Sequence, residues 1–430
     1  MINLLPHQIE VLKKTKEMKR VAYYLDMGLG KTFVGSEKMF EIGNKLNLLV
    51  CQKSKVDDWV SHFNTYYSEK ALVVDYTKKS NHELTIFDLI KLSASLTVVI
   101  IVNYELAWRR AELSKLTEFT LILDESSMIQ NYSAKQSRFI VKKLHENACI
   151  LLSGTPVGGK FENLWTQTEM LGCGLTKKQF EDRFINFETL NLAMRSIRIV
   201  DRKNPYKNID ELKELLKFGG AVFMKTEEVM NLPEQRFIEV ECNNSKTYRK
   251  FLKEKVVEIE GKELLGNSSF SMRLALRMLA SQYNNNKLER FKELLESTSD
   301  RVIVFYNFTE ELNKMFDIAK KLSRPISIVN GAIKDLSLYN EEENSVTFVQ
   351  YQAGAMGLNL QKANKMIYFS LPERSELFEQ SKKRIHRIGQ NSSCTYYILE
   401  TRASIDKAIY QALKRKQDYT DELFKQDFNL

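Results

Sequence analysis

The stretch that decides the fold is VAYYLDMGLGKTFVGSEKMFEI, residues 21–42. Its first five residues are hydrophobic on both faces, which is typical of a strand in a parallel sheet covered by helices. A glycine-containing turn follows, and residues 33–42 predict a helix. A buried strand that leads through such a turn into a helix predicts an α/β unit with a parallel sheet.

The turn itself, DMGLGKT at residues 26–32, has the composition of a phosphate-binding loop. Glycines let backbone N–H groups approach phosphate oxygens, and the N-terminus of the following helix favours an anion. Lys31 would neutralise the β- and γ-phosphates, and Thr32 Oγ would ligate Mg²⁺. The full G-x-x-x-x-G-K-[ST] form requires glycine at position 25, where this chain has Leu25. A phosphate loop and a plain strand-to-helix turn therefore both remain open at this point.

A second candidate site follows at residues 120–125, TLILDE, and it is acidic. Here a buried strand delivers two carboxylates at its C-terminal end, the edge at which parallel sheets bind ligands. Asp124 would hold Mg²⁺ directly or through water, and Glu125 would polarise the attacking water. A lone Asp-Glu after a strand is usually a helix N-cap. Downstream of a phosphate loop in an α/β frame, the pair instead predicts hydrolysis of a nucleoside triphosphate.

Similar short apolar runs alternate with amphipathic stretches along the chain. The predicted strands are residues 21–25, 48–51, 72–74, 98–102, 121–123 and 149–152, and then 302–305, 326–329, 346–349, 366–369 and 396–399. Residues 161–216 and 246–295 are charged and predict helices, with 209–218 and 271–282 at 3.6-residue spacing. The sequence thus predicts two α/β domains, 1–230 with a helical protrusion and 231–430 with a helical insertion at 244–296, divided near Leu232-Pro233.

Composition narrows the class of protein. The five cysteines are scattered without a C-x-x-C pair, which argues against a disulfide framework or zinc site and favours a reducing compartment. The longest apolar-rich run, residues 96–102, is far shorter than the ~18 residues of a membrane span. We therefore expect a protein of the cytoplasm, without membrane contact.

The net charge of +9 is compatible with nucleic-acid binding and equally with a solvated lysine-rich surface. The excess is shared almost evenly, with 33 basic against 28 acidic residues in 1–230 and 31 against 27 in 231–430. A polyanion would therefore have to contact both halves.

Residues 380–390, QSKKRIHRIGQ, place two arginines three residues apart, on one face of a helical turn. This string closely resembles the last motif of the switch/sucrose-non-fermenting (SWI/SNF) family of DNA-translocating ATPases, within helicase superfamily two. Other segments are similar to further motifs of that family in order and spacing: residues 5–8, 48–63, 101–105, 151–156, 162–165, 224–225, 232–233, 276–279, 302–312 and 352–360.

The resemblance spans nearly the whole chain and implies two RecA-like parallel-sheet lobes with ATP and Mg²⁺ in the cleft between them. It implies Lys31 and Glu125 as catalytic residues, with Arg384 and Arg387 as arginine fingers from the second lobe. The implied metal ligands are Thr32 and Asp124. The implied nucleotide contacts are Gln8, Met27, Gly28, Leu29, Gly30, Lys31, Thr32, Gly357, Arg384 and Arg387.

In this architecture, DNA contacts come from backbone amides and small polar side chains at the outer mouth of the cleft. The candidates are Lys53, Ser54, Asn103, Gly331, Gln352 and Ala353. Such contacts engage phosphate and sugar, which predicts binding without sequence specificity and with strong salt dependence.

Three positions depart from the family. Ser127 stands where histidine is usual, Gln52 where proline is common, and Tyr351-Gln352 where a Thr/Ser-Lys/Arg pair is usual. Since Ser127 lacks an imidazole, the link from nucleotide state to the segment that resembles the family's third motif, residues 151–156, is expected to be altered, whereas the hydrolytic residues are retained. Four histidines, His7, His62, His82 and His145, have no metal-ligand spacing and are expected at the surface or at helix ends.

The leading prediction is an ATP-dependent translocase on double-stranded DNA, in a compact bacterial, archaeal or viral form. One alternative is a strand-separating DNA or RNA helicase, for which no wedge element is identified. Another is a nucleotide-gated DNA-binding subunit that works through a nuclease or a replication or repair protein.

Overall fold

The computed structural model describes residues 3–78, 88, 91, 93, 95–144, 148–154, 156, 160–192, 195–201, 203–229, 231–354 and 358–428. The chain divides into two compact units, Met1–Met230 and Asn231–Leu430. Across the described ranges, no helix is both long enough and apolar enough to span a membrane.

Unit 1 contains a seven-stranded sheet in which every pair of neighbouring strands is parallel. Its strands are β1 (Arg20–Leu25), β2 (Leu46–Cys51), β3 (Ala71–Asp75), β4 (Thr97–Asn103), β5 (Phe119–Asp124), β6 (Ala148–Leu152) and β9 (Ala221–Met224). Before β9, the strands β7 (Phe187–Leu192) and β8 (Arg195–Val200) form an antiparallel hairpin. The strand order is β3-β4-β2-β5-β6-β1-β9.

Helices connect these strands. They are α1 (Pro6–Lys14), α2 (Lys31–Ile42), α3 (Val56–Tyr66), α4 (Tyr104–Ala107), α5 (Lys135–Phe139), α6 (Trp165–Met170), α7 (Lys177–Phe184), α8 (Ile209–Phe218) and α9 (Thr226–Val229). Shorter 3₁₀ turns occupy Lys53–Lys55, Ala111–Lys115, Ser126–Ile129 and Phe161–Leu164, and a π-helical turn occupies Ile140–Leu144.

The sheet of unit 1 separates two hydrophobic cores. Val21, Tyr23 and Leu25 of β1 face one core, while Ala22 and Tyr24 face the other. Because successive side chains of a strand point to opposite faces, a sheet covered on both sides needs hydrophobic residues at every position. This requirement explains the unbroken apolar runs of the sequence.

Unit 2 repeats the arrangement with strand order β10-β18-β17-β13-β16-β14-β15, in which only the β14–β15 pair is antiparallel. The strands are β10 (Gln235–Cys242), β11 (Val256–Ile259), β12 (Lys262–Leu265), β13 (Val302–Tyr306), β14 (Ile326–Val329), β15 (Lys334–Asp335), β16 (Val346–Gln350), β17 (Lys365–Tyr368) and β18 (Cys394–Thr401). The helices are α10 (Lys246–Glu254), α11 (Ser269–Ala280), α12 (Asn285–Glu296), α13 (Thr309–Lys321), α14 (Ser337–Glu341), α15 (Tyr351–Gly354), α16 (Ser375–Lys382), α17 (Ile405–Lys414) and α18 (Asp421–Asp427).

The predicted α/β class with two parallel-sheet lobes is confirmed, and each predicted strand coincides with an observed one. The prediction that the two charged regions are purely helical is wrong. The β7–β8 hairpin interrupts the first region, and the β11–β12 hairpin interrupts the second. In the β11–β12 hairpin, Glu260 (φ 52°) and Gly261 (φ 72°) form the two-residue turn. Positive φ at both central residues suits the twist of a hairpin, and strands of only four residues are too short to give a clear periodic signal.

Candidate nucleotide and nucleic-acid sites

The strand order of unit 1 brings the predicted nucleotide residues to one edge of the sheet. The phosphate loop follows β1, the third motif follows β6, and Asp124-Glu125 ends β5, and these three strands are neighbours in the order β5-β6-β1. The next strands, β2 and β4, end at Cys51 and Asn103. Since all five strands are parallel, their carboxyl ends lie at the same edge.

The phosphate loop has the backbone that its glycines permit. Gly28 has φ 94° and Gly30 has φ 76°, and α2 begins at Lys31 directly after Gly30. Lys31 Nζ donates hydrogen bonds to the carbonyls of Leu25 (2.9 Å) and Asp26 (3.3 Å). The ammonium group is therefore held against the loop, at the N-terminus of the helix.

The third motif lies against this loop. A Cβ added at Gly154 would lie 3.3 Å from Met27 Cγ and 3.4 Å from Lys31 Nζ. Glycine at this position therefore lets the backbone after β6 approach the lysine ammonium closely.

Two side chains of α1 hold the loop from the other side. Gln8 Nε2 donates to the carbonyl of Leu29 (3.1 Å), and His7 Nε2 lies 3.1 Å from the same oxygen. Both side chains are buried, with 5% and 6% of their surface exposed. His7 lies in the first turn of α1, which agrees with the expected helix-end role, but packing against the loop buries its ring, so it is not a surface residue.

Asp124 is oriented by two aromatic residues. Its Oδ2 accepts a hydrogen bond from Trp59 Nε1 at 2.8 Å, and its backbone carbonyl accepts one from the Tyr104 hydroxyl at 3.1 Å. Trp59 is 3% exposed and Tyr104 is fully buried. The carboxylate at the end of β5 thus projects from a fixed backbone and has one oxygen held by an indole.

Glu125 connects the acidic pair to the third motif. Its Oε1 accepts hydrogen bonds from Ser127 Oγ (3.0 Å) and from Ser153 Oγ (2.6 Å). The residue has φ 57° and ψ 63°, a left-handed conformation that is uncommon outside glycine and concentrates at functional sites. The Ser127 hydroxyl therefore bonds Glu125, and the Ser153 hydroxyl joins Glu125 to the third motif. The expected effect of Ser127 on that link stays a prediction.

A buried glutamine adds a second connection between these segments. Gln167 Oε1 accepts hydrogen bonds from Ser126 Oγ (2.7 Å) and from the Tyr24 hydroxyl (2.9 Å), and Gln167 Nε2 donates to the carbonyl of Pro156 (2.8 Å). Gln167 is fully buried. The segment after β5, the segment after β6 and β1 therefore share one polar network.

The DNA candidates of unit 1 lie beside this edge. Lys53 and Ser54 are exposed in the 3₁₀ turn after β2. Asn103, at the end of β4, is 4% exposed, and its Nδ2 donates to Glu105 Oε2 at 2.5 Å. Gln52, the second departure from the family, places its side-chain amide 3.7 Å from Met128 Sδ.

In unit 2, Gly331 and Gln352 are exposed and follow the neighbouring strands β14 and β16, whereas Ala353 is 1% exposed. Gly357 lies outside the described residues. Helix α16 ends at Lys382, so the prediction that Arg384 and Arg387 share a helical face is wrong. The carbonyl of Arg384 accepts a hydrogen bond from Leu360 N at 3.1 Å, and the chain continues in turns.

The two arginines differ in their surroundings. Arg384 is 1% exposed. Arg387 Nη1 donates to Asn359 Oδ1 and to the carbonyl of Leu358, and burial lowers the pKa of its guanidinium below the usual value. Within the described part of the chain, Arg387 Nε has no hydrogen-bond acceptor. A desolvated guanidinium without a carboxylate partner favours an anionic ligand.

The donor set of unit 1 fits Mg²⁺ bound together with a nucleotide. The described residues contain no group of three or more His, Cys, Asp or Glu side chains that could hold a metal. Mg²⁺ usually takes one or two protein oxygens and completes its shell with phosphates and water. Thr32, at the start of α2, and Asp124 offer such oxygens.

Sequence reasoning missed three contacts. The bond between Trp59 and Asp124 has no local signal in the sequence, because 65 residues separate the two. Ser153 is part of a recognised motif, but its acceptor was not predicted. His62 is buried rather than exposed and bonds Ser36 Oγ at 3.0 Å, and burial lowers the pKa of its imidazole to about 4. His82 and His145 lie outside the described residues.

The SNF2-related domain matches residues 11–296, and the Helicase conserved C-terminal domain matches residues 286–389. The first match alone covers well over half of the chain. The chain belongs to the SNF2-related family. This family of helicase-like ATPases is the one that the motifs of the sequence resemble.

Among relatives of this SNF2-related chain, the Bacillus subtilis ATP-dependent helicase/translocase YwqA is 23% identical over 94% of the chain and 46% of its own length. The Gallus gallus DNA repair and recombination protein RAD54B is 23% identical over 91% of the chain and 50% of its own length. The chain therefore spans about half the length of these relatives. A solved structure that is similar, the Sulfolobus solfataricus SWI2/SNF2 ATPase core in complex with double-stranded DNA, is 19% identical, with 99% of this chain and 92% of that chain covered and a TM-score of 0.45.

Proposed function

We propose that the chain hydrolyses ATP and uses the energy to translocate along double-stranded DNA. The observation that carries this proposal is the shared edge of unit 1. There the phosphate loop, Asp124-Glu125 and the third motif follow three neighbouring strands, and Ser153 bonds Glu125 at 2.6 Å. Family membership supports the same reaction.

In this proposal residues 1–230 form the ATP-binding lobe. Gln8 holds the loop, residues 27–30 offer backbone amides to the phosphates, and Lys31 neutralises their charge. Thr32 and Asp124 would hold Mg²⁺, which when bound withdraws charge from the phosphate oxygens. Glu125 accepts a proton from the attacking water, and its two serine contacts keep one carboxylate oxygen fixed.

In this proposal, residues 231–430 form the second lobe of the protein. Arg384 and Arg387 act as arginine fingers on the transferred phosphate, a role typically worth ~10³ to 10⁵ in rate. Arg387 is half-buried, and its described hydrogen-bond partners, the Leu358 carbonyl and Asn359 Oδ1, are uncharged, which supports its assignment. Gly357 is assigned to the nucleotide site only because residues 352–360 resemble a family motif.

DNA is proposed to lie along the carboxyl edges of both sheets. Lys53, Ser54, Gly331 and Gln352 are exposed there and suit contacts to phosphate and sugar. Asn103 and Ala353 are buried, so they would contribute through their backbone. The proposed substrate is double-stranded DNA of any sequence.

The test is ATP turnover of the wild type and of Glu125→Gln with no nucleic acid, duplex DNA, single-stranded DNA or RNA. We expect duplex DNA to stimulate the wild type most, and Glu125→Gln to lower turnover by about 10²-fold or more while nucleotide still binds. Glu118→Gln, an exposed glutamate before β5, is the control and should behave as wild type. Absence of stimulation by any nucleic acid would refute the proposal.

Translocation and strand separation are distinguished by two substrates. A translocase displaces the third strand of a triplex but leaves a forked duplex paired, whereas a helicase unwinds the fork. A nucleotide-gated subunit would do neither and would hydrolyse ATP poorly. Retention of Lys31 and of the bonded Glu125 argues against that last alternative.

A further inference from the structure

Helix α3 lies between the proposed DNA contacts and the proposed metal site. It begins at Val56, directly after the Lys53–Lys55 turn that exposes Lys53 and Ser54. One turn into the helix, Trp59 reaches the end of β5, where its Nε1 lies 2.8 Å from Asp124 Oδ2. A single short element therefore contacts both sites.

The indole bond constrains the carboxylate. Indole has one N–H group and no acceptor, so its contact with Asp124 Oδ2 is a charge-assisted donation. With Oδ2 held, the direction of Oδ1 is set as well, because the carboxylate is planar. Trp59 is 3% exposed and packs on Phe63 with ring centroids 5.8 Å apart, so the donor itself has little freedom.

A second bond connects α3 to the helix that begins with the phosphate-loop residues. The Ser36 hydroxyl donates to the carbonyl of Thr32 at 2.9 Å, and His62 Nε2 lies 3.0 Å from the same hydroxyl. Because serine has only one hydroxyl hydrogen, His62 Nε2 is the donor to Ser36. Helix α3 is thus bonded to both elements that carry the proposed metal ligands, Thr32 and Asp124.

We propose that Trp59 is a positioning residue for Asp124 and that α3 couples DNA contact at Lys53 and Ser54 to the orientation of that carboxylate. This inference rests on the proposed function for the identity of the two sites. A shift of the turn when DNA binds would move Trp59 and, through its N–H group, Asp124. Stimulation of ATP turnover by DNA would then depend on the indole nitrogen.

The first test compares Trp59→Phe with Trp165→Phe. Both tryptophans are buried, and both donate their N–H group, but Trp165 donates to the carbonyl of Leu175 at 2.9 Å. We expect Trp59→Phe to raise the half-saturating Mg²⁺ concentration by about tenfold, as loss of a partner of a metal ligand typically does, and to reduce stimulation by duplex DNA. Trp165→Phe should keep both values. Equal behaviour of the two variants would overturn the inference.

The second test needs no turnover and uses the wild-type protein. The chain has three tryptophans, Trp59, Trp108 and Trp165, so ¹⁵N-indole labelling gives three Nε1–H resonances. The resonance that remains in both Trp108→Phe and Trp165→Phe is that of Trp59. We expect Mn²⁺ added with ADP to broaden the Trp59 resonance more than the other two, and duplex DNA alone to shift it. A Trp59 resonance that responds to neither addition would overturn the inference even if Trp59→Phe folds poorly.

The two proposals can fail separately. If duplex DNA does not stimulate the wild type, the proposed function fails whatever the variants do. If duplex DNA stimulates both variants and the wild type equally, the proposed function stands and the coupling through Trp59 is wrong.

Discussion

Among the described residues, two serines donate hydrogen bonds to Oε1 of Glu125, and the two bonds differ in length. Ser153 lies at 2.6 Å and Ser127 at 3.0 Å from Oε1. A shorter bond to a charged acceptor is generally the stronger one. Ser153 therefore has the larger part in orienting the proposed base, and it belongs to the third motif rather than to the acidic one.

We expect Ser153→Ala to lower kcat by about tenfold with little change in the KM for ATP. A hydrogen bond to a charged group contributes about 1.5–3 kcal/mol, and loss of about 1.4 kcal/mol in the transition state is a tenfold loss in rate. Ser127→Ala should have a smaller effect. Steady-state ATP kinetics measure both, with Ser137→Ala as control, since the buried Ser137 hydroxyl has no bonding partner among the described residues. Wild-type kcat in Ser153→Ala would contradict this assignment.

His62 makes the stability of unit 1 dependent on pH. Burial lowers the pKa of His62 to about 4 in the folded chain, below the ordinary value of about 6.5 in the unfolded chain. Between these values the unfolded chain binds more protons, so the free energy of unfolding falls as pH falls from about 6.5 toward 4. Above pH 6.5 the residue contributes no pH dependence.

We expect the wild type to lose about 2 kcal/mol more stability than His62→Gln between pH 7.5 and pH 4.5. Glutamine retains an N–H donor for Ser36 and does not titrate. Urea denaturation of both proteins at the two pH values measures the difference. Parallel pH profiles of wild type and variant would show that His62 is not the titrating group.

At the scale of elements, the phosphate loop depends on a left-handed glycine in close contact with another segment. Gly30 has φ 76°, and a Cβ there would lie 2.0 Å from Gln8 Nε2. Gly261, in the turn between β11 and β12, has nearly the same φ of 72°, but nothing lies within 4 Å of its added Cβ. A comparison of alanine substitutions at the two glycines therefore distinguishes the free-energy cost of backbone strain from the cost of displacing a neighbouring side chain.

We expect Gly261→Ala to lower the free energy of unfolding by about 1 kcal/mol, the typical cost of a left-handed alanine, and to leave the affinity for ATP unchanged. Gly30→Ala should cost more and should also weaken ATP binding several-fold, because Gln8 must leave the Leu29 carbonyl. Thermal unfolding and nucleotide titration measure the two quantities. Equal ATP affinity in the two variants would contradict a role for the Gln8 contact.

The elements themselves were predictable to different degrees. Helix α8 spans the predicted residues 209–218, and β14 spans the predicted residues 326–329. Helix α8 has an apolar period that follows from packing on one core, whereas β14 contributes Val329 to one core and Ile326 and Ile328 to another. The β7–β8 and β11–β12 hairpins are defined by their cross-strand pairing, although Val257 of β11 is also buried in a core.

At the scale of the whole molecule, positive charge is spread over both units, with an excess of five in residues 1–230 and four in residues 231–430. Binding to DNA by many phosphate contacts releases counterions, so affinity falls steeply as salt rises. The proposed function therefore requires a steep negative slope of log affinity against log salt, with similar affinity for different sequences.

We expect Lys53→Ala to reduce the magnitude of that slope by about one, because Lys53 is an exposed cation at the proposed DNA edge. Lys55→Ala is the matched control, since Lys55 Nζ is paired with Asp58 Oδ2 at 2.9 Å. Fluorescence anisotropy with labelled duplexes at several salt concentrations measures the slopes. A wild-type slope near zero would contradict phosphate binding altogether.

The sequence by itself determined the α/β class and the positions of the predicted strands, and it predicted the residues of the phosphate loop and acidic pair. Each of these is a local pattern, since strand burial, glycine turns and motif spacing are contained within a few neighbouring residues. Tertiary structure alone decided which side chains hold those residues. Trp59 bonds Asp124 across 65 residues, and Ser153 bonds Glu125 across 28. Such contacts depend on the strand order β2-β5-β6-β1, which no local pattern of apolar residues specifies.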